Sequence, residues 1–293
     1  MFVDAYKLAA EFTKPVIVSI RRLDGSVQCS CGAFVVLNEN GWIITVAHLW
    51  NWHHQHQQDL PAVQKYRADA SAIEKDAGLS AKQKQRQLRR LKGDPKWVTN
   101  SSFWWGRDEP QIAEARPLPE ADLVAVRLEP WSPSWASSYP TIKDPTKPMD
   151  VGRSLCKLGY PFHDISATYD ETKDAFQLAE GTLPLPRFPI EGIYTRDAVT
   201  GKSADGKYDL KLLETSSPGL RGQSGGPIFD TRGTVWAIQS QTIHLPLGFS
   251  PKLETRGRTI EEHQFLNAGL GVHAEVIVPF LRDNGIDFQL SDY

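Results

Sequence analysis

Cysteine is scarce: only Cys29, Cys31 and Cys156 occur among 293 residues. So small and odd a number builds no disulfide framework, and no Cys/His spacing of a structural metal site accompanies it. No apolar run approaches the roughly 20 residues needed to cross a bilayer. The opening stretch from Met1 to Phe12 carries Asp4 and Glu11 and lacks the unbroken apolar core of a secretory signal. An excess of one charge is missing as well, since 33 Lys and Arg face 35 Asp and Glu for a formal net charge of −2. That balance gives no reason to expect nucleic acid or a membrane as a partner. These absences predict a chain of a reducing compartment, the cytoplasm, with no cofactor and no metal.

What remains is ample for a core, with 40% of residues hydrophobic. Most of the chain reads as short strands between turn residues, an all-β pattern. Val16-Ile-Val-Ser-Ile20, Gly32-Ala-Phe-Val-Val-Leu37, Trp42-Ile-Ile-Thr-Val46 and Asp122-Leu-Val-Ala-Val-Arg-Leu128 are strand-like. So are Ser154-Leu-Cys-Lys-Leu158, Tyr208-Asp-Leu-Lys-Leu-Leu213, Pro227-Ile-Phe229 and Val235-Trp-Ala-Ile238. Asn40-Gly41 signals a hairpin turn, and Gly201 to Gly206 reads as the loop of a longer hairpin. Residues 131–148 hold Pro133, Pro140, Pro145 and Pro148, the composition of a surface linker between halves at about 14–130 and 149–293.

One segment, about 54–96, reads as helical. Val63, Tyr66, Ala70, Ile73 and Ala77 draw a narrow apolar stripe; Gly78 is a stop and Ser80 a start. A basic helix then runs to Leu91 and ends before Gly93 and Pro95. The expectation is a helical hairpin inserted in a surface loop, a candidate contact for a regulatory protein. Its base carries His53, His54 and His56, read as solvated loop histidines because their spacing fixes no coordination geometry. Phe280 to Gly285 reads as the end of a short C-terminal helix.

The most informative segment is Gly222-Gln-Ser-Gly-Gly-Pro227. Attack on an amide needs a rigid hydroxyl and backbone N–H groups aimed at the developing oxyanion. Glycine supplies both, because it tolerates unusual dihedrals and lets substrate approach the backbone. Chance would produce such a string in about one chain in three thousand at average Gly and Pro usage. His48, ending the apolar stretch Ile43-Ile-Thr-Val-Ala-His48, is the candidate base. Asp122, opening another apolar strand, is the candidate to orient its imidazole.

Together these residues resemble the trypsin/chymotrypsin-like serine peptidases. Thr45-Val-Ala-His48 is similar to the family's T-A-A-H, Asp122-Leu-Val-Ala-Val-Arg-Leu128 to its D-I-A-L-L-x-L, and Gly222 to Pro227 to its G-D-S-G-G-P. Cys31-Gly32 and Gly271-Val-His-Ala-Glu-Val276 match two further motifs, and Gly159-Tyr-Pro161 looks like the G-Y-P of bacterial members. The resemblance implies two antiparallel six-stranded β-barrels with the site between them. It also implies a serine endopeptidase acting on protein or peptide substrates. His48, Asp122 and Ser224 would form the catalytic triad, and the N–H groups of Gly222 and Ser224 the oxyanion hole.

Three departures stand out. Gln223 occupies the place of the acid that pairs with a newly cut N-terminus in zymogens. Leu49 replaces a disulfide cysteine. His48 and Asp122 are also unusually far apart because of the insertion. The resemblance places Pro218, Ser240, Thr242 and His273 as candidate pocket residues. Pro218 in place of an acid argues against a simple Arg/Lys preference, and Thr242 in place of glycine narrows the entrance. Two alternatives stand beside this reading: a catalytically silent, protease-like binding module, and a hydrolase whose G-x-S-x-G serine sits on a strand–turn–helix elbow.

Overall fold

The chain opens with a helix that its sequence did not advertise, α1 (Val3–Phe12), which buries Ala5, Ala9 and Phe12 on one stripe. The computed structural model describes residues 1–255 and 258–293. Six antiparallel strands follow: β1 (Thr13–Arg22), β2 (Val27–Val36), β3 (Trp42–Thr45), β4 (Val98–Trp104), β5 (Gln111–Leu118) and β6 (Leu123–Glu129). They form one sheet in the order β4-β1-β2-β3-β6-β5. β6 lies between β3 and β5, and its residues Leu123 to Val126 are all buried, which explains an apolar run without alternation. β5 is a mostly exposed edge and β4 carries Thr99, Asn100, Ser101 and Ser102, so neither announced itself as a strand.

The loop signalled by Asn40-Gly41 is wider than a two-residue turn. The Asn38 side chain accepts the N–H groups of Asn40 and Trp42, and Gly41 takes a positive φ of 80°. The inserted segment is helical, but it begins earlier than the expected residue 54. α2 (Ala47–Lys75) starts directly after β3, and α3 (Ala81–Leu88) follows a break that contains Gly78. Ser80 caps α3 in a reciprocal box with Gln83. Of the expected stripe only Val63 is fully buried, and Ala77 lies beyond the helix. Trp50 stacks on Phe103 of β4, Leu49 enters the core, and a polar tie is added where buried Asp59 accepts the backbone N–H of Val98 at 2.8 Å and the Gln55 side chain at 2.9 Å. His53, His54 and His56 ride on this helix rather than on a loop, with His53 beside the rings of Trp50 and Phe103.

The remainder builds a second sheet. Its strands are β7 (Thr141–Ile142), β8 (Ser154–Gly159), β11 (Phe188–Lys202), β12 (Asp209–Thr215), β13 (Pro227–Phe229), β14 (Val235–Pro246), β17 (Phe265–His273) and β18 (Gln289–Leu290). Two separate hairpins are β9 (Ala167–Asp170) with β10 (Ala175–Leu178), and β15 (Lys252–Thr255) with β16 (Arg258–Glu261). The sheet order is β13-β8-β11-β12-β17-β14-β7-β18, with an additional pairing of β13 to β14. Six strands thus pair in a continuous ring to which β7 and β18 are appended. The trypsin-like fold is therefore built from sheets of six and eight strands: the first has six strands whose ends β4 and β5 do not pair with each other among the described residues, and the second closes six strands and carries two more. β7 comes from within the stretch read as linker, because Ile142 pairs with Val235 and Leu290. The C-terminal helix α4 (Ala274–Asp283) is longer than the turns expected, and Gly285, at φ 65°, follows its end. One hydrophobic core runs through both halves, joining Phe34, Ile44 and Leu128 to Leu158, Phe229 and Val272.

Candidate active site

The glycine cradle is demanded by close backbone approach on three sides. Gly222 has φ 94°, and a Cβ there would stand 2.3 Å from the Tyr160 carbonyl oxygen. Gly225 has φ 83°, and its Cβ would meet the Ala33 carbonyl and the Thr45 hydroxyl, both at 2.1 Å. Only glycine accepts both the dihedral and the contact. The loop is also stitched to the first sheet at the serine itself, since Ala33 N–H donates to the Ser224 carbonyl at 2.7 Å. Thr45 secures the other side of that contact by donating to the Ala33 carbonyl at 2.7 Å.

His48 sits in the first turn of α2, immediately past the end of β3. Asp122 is not in its strand but just before it, capping the short turn Pro119–Ala121 with φ 53° and ψ 44°. Asp tolerates this left-handed conformation better than most residues, and here it aims the carboxylate at the start of α2. Asp122 Oδ1 accepts the His48 backbone N–H at 2.8 Å, and Oδ2 lies 2.9 Å from His48 Nδ1. A carboxylate only accepts, so Nδ1 carries the ring proton and Nε2 is left with its lone pair facing outward. A third bond comes from the Ser240 hydroxyl to Asp122 Oδ2. Ser240 falls at the register shift between Gln239 and Gln241, where β14 slips against β17, and that bulge turns its side chain toward Asp122.

His48 and Ser224 line the same cleft of about 920 Å³, together with Leu49, Tyr160, Arg221 and Gly222. Among the described residues no hydrogen bond joins Ser224 Oγ to His48; such contacts often tighten only around substrate. The N–H groups of Gly222 and Ser224 are not donated to any backbone or side-chain acceptor among the described residues. Gly222 is held from behind, its carbonyl accepting the Tyr160 N–H at 2.8 Å. Gln223 is fully buried; its Oε1 accepts the Leu220 N–H at 3.0 Å and its Nε2 donates to the Phe188 carbonyl at 3.2 Å.

The expected pocket residues divide. Thr242 donates its hydroxyl to the Gly219 carbonyl, so it closes on the segment that contains half-buried Pro218. Ser240 is absent from the cleft that His48 and Ser224 line; it is buried against Asp122 and borders a separate cavity of about 200 Å³ behind that carboxylate. His273 is not at a pocket wall either, because β17 carries it into the interior at 0% exposure. There its Nδ1 accepts the Glu275 N–H and caps α4, and burial holds its pKa down at about 4. Tyr160, from the Gly159-Tyr-Pro161 motif, and Arg221, which the sequence did not single out, line the cleft instead. The Cys31 thiol also borders it, and burial pushes its pKa up to about 12.

No curated protein sequence matches the chain. Among solved structures, the Rv3671c protease of M. tuberculosis in its active form shares 12% identity over 99% of this chain and 88% of its own, with a TM-score of 0.49. The HtrA-type protease AlgW with a decapeptide shares 10% identity over 97% of this chain and 68% of its own, at a TM-score of 0.50. The same protease with a tripeptide shares 13% over 97% and 63%, at 0.48. At 10% identity, the likeness to the decapeptide complex is one of fold alone. In sequence, residues 31–238 match the trypsin-like peptidase domain, and the chain belongs to that family.

Proposed function

We propose that the chain is a serine endopeptidase in which Ser224 is the nucleophile, His48 the general base and Asp122 the residue that orients the base. The observation that carries this reading is the bond network around Asp122. One carboxylate accepts the backbone and the ring N–H of His48 and the Ser240 hydroxyl, which leaves Nε2 as the free base on the cleft that Ser224 also lines.

In this mechanism the peptide carbonyl lies against Ser224 with its oxygen toward the N–H groups of Gly222 and Ser224. His48 Nε2 takes the hydroxyl proton as Oγ attacks, and the tetrahedral oxyanion is held by the two amides; one such donor contributes about 2.7–4 kcal/mol. His48 then returns the proton to the leaving amine, giving an acyl-enzyme that water hydrolyses by the same steps. The first half of the chain supplies the base from α2 and its orienting carboxylate from the turn before β6, the second half supplies the nucleophile, and the Ala33–Ser224 backbone bond ties the two together. Protein or peptide is the substrate, and the α2–α3 segment is a candidate contact for a regulatory protein.

The test is labelling of the purified chain by a fluorophosphonate, alongside hydrolysis of peptide substrates. Wild type is expected to label and cleave, and Ser224→Ala to do neither, with turnover down on the order of 10⁶. Cleavage by Ser224→Ala above a few per cent of wild type overturns the assignment. A folded wild type that neither labels nor cleaves would favour the silent binding module.

A further inference from the structure

Behind the segment that leads to Ser224 lies a buried charge with no counter-ion among the described residues. Lys157 is only 1% exposed, on β8 between Ile190 of β11 and Ile228 of β13. Its ammonium donates to the Thr215 hydroxyl at 2.8 Å and to the Ser217 carbonyl. No carboxylate pairs with it among the described residues. An ammonium has three protons, so one remains uncommitted. Burying a cation with neutral acceptors alone is costly, and such a group is normally paired.

Its position gives the charge a use. Ser217, Pro218 and Gly219 lead into the cradle, and Thr242 of β14 is bonded to them through the Gly219 carbonyl. Gly269 of β17 is the register partner of Thr242, so both present the same face of the sheet to that segment. A Cβ on Gly269 would stand 2.8 Å from Lys157 Nζ, 2.8 Å from the Ser217 carbonyl oxygen and 2.9 Å from the Gly219 nitrogen. The ammonium therefore lies directly behind Ser217 to Gly219, where the missing side chain of Gly269 leaves it room. At the rim, exposed Arg221 adds a second cation on the cleft, directly before Gly222.

Resting on the serine-endopeptidase reading, we infer that Lys157 determines specificity and that the enzyme cuts after acidic residues, aspartate ahead of glutamate. The side chain preceding the scissile bond enters between Gly219 and Thr242. Its carboxylate takes the uncommitted ammonium proton and the Thr242 hydroxyl, which turns away from Gly219. The lysine, lying behind that segment, and the threonine, narrowing the mouth, leave a shallow slot that suits the shorter acid. A neutral isostere such as asparagine would leave the ammonium buried and unpaired, and a basic side chain would face it directly.

The test uses the full chain and a set of fluorogenic peptides differing only in the residue before the cleaved bond: Asp, Glu, Asn, Ala, Leu and Arg. The expected result is a kcat/KM for Asp at least 10-fold above Asn and Ala, with Arg the poorest. Lys157→Met is expected to lose the Asp preference while Ser224 still labels with the fluorophosphonate. Since a variant of so buried a residue can fail to fold, the Asp-to-Asn ratio of wild type stands as a separate measure. Labelling together with a preference for Arg, Leu or Ala, or an Asp-to-Asn ratio near one, overturns the acidic slot and leaves the nucleophile intact. Absence of both labelling and cleavage overturns the nucleophile and, with it, the slot.

Discussion

Gln223 and Leu220 form a closed turn in which the glutamine's own side chain accepts the leucine's N–H at 3.0 Å, next to a Gln223 N–H donated to the Leu220 carbonyl at 2.9 Å. The other end of the amide reaches the Phe188 carbonyl. A neutral residue thus braces, from inside the chain, the loop that presents Gly222. In zymogens of the family that position holds an acid that awaits a new N-terminus, and here the bracing asks for no such charge.

The first prediction follows from that bracing. Gln223→Ala leaves the buried Leu220 N–H without its side-chain acceptor, and an unsatisfied buried group costs about 1–3 kcal/mol. The loop relaxes and Gly222 loses its aim, so kcat should fall about 10- to 100-fold with KM changed much less. Wild type should label with a fluorophosphonate as the intact, uncut chain. Labelling that appears only after proteolytic trimming, or a Gln223→Ala variant with unchanged kcat, would contradict the idea.

Ser240 gives the second prediction. Its hydroxyl bonds Asp122, and it does not line the cleft shared by His48 and Ser224, so it is a positioning residue that acts through the carboxylate. Hydrogen bonds to charged groups contribute about 1.5–3 kcal/mol, which is roughly one to two decades in rate. Ser240→Ala should therefore lower kcat about 10- to 100-fold and leave the ranking of substrates by their cleaved residue unaltered. A changed ranking at constant kcat would mean that Ser240 belongs to the substrate slot after all.

How much of this was legible in the sequence depends on how local the cause is. The glycines around Ser224 answer to contacts within their own turn and to two neighbouring backbones, so their spacing alone announces them. The apolar strands at 32–37, 42–46 and 122–128 were equally plain, because burial on both faces leaves continuous runs. The aim of Asp122 comes from a left-handed dihedral after a short turn, and that of Ser240 from a bulge against β17; neither has a composition of its own. α1 hides behind Asp4, Lys7 and Glu11 on its exposed side. Asp59 holds α2 to β4 by a single carboxylate that reads as one more surface charge. Lys157 was the least visible of all, since Ser154-Leu-Cys-Lys-Leu158 looks like a strand with one solvent-facing cation. Only the ring of pairings around β8 shows that this cation has no solvent to face.

That burial makes Lys157 a term in the pH dependence of stability. Desolvation lowers its pKa from the ordinary 10.5 to about 7 in the folded chain. The residues opposite it on β11 and β13 are Ile190 and Ile228, and those meeting it from β12 and β17 are Thr215 and Gly269, none of them charged. The adjoining Cys156 thiol is itself pushed up to about 12 by burial and stays neutral. Between pH 7 and 10.5 the unfolded chain therefore holds a proton on Lys157 that the folded chain has released. The contribution of Lys157 to stability then rises with pH across that window, and below pH 7 the folded state carries the full penalty of a buried ammonium. Lys157→Met removes the titrating group, so its melting temperature relative to wild type is the informative quantity. The variant should be favoured most near pH 6, and its advantage should shrink steadily toward pH 9. A difference that stays constant over this range would mean that Lys157 keeps an ordinary pKa and is solvated, which its place in the sheet does not permit. A peptide ending in aspartate should reverse the trend for wild type alone, because its carboxylate pairs with the ammonium and draws the proton back on.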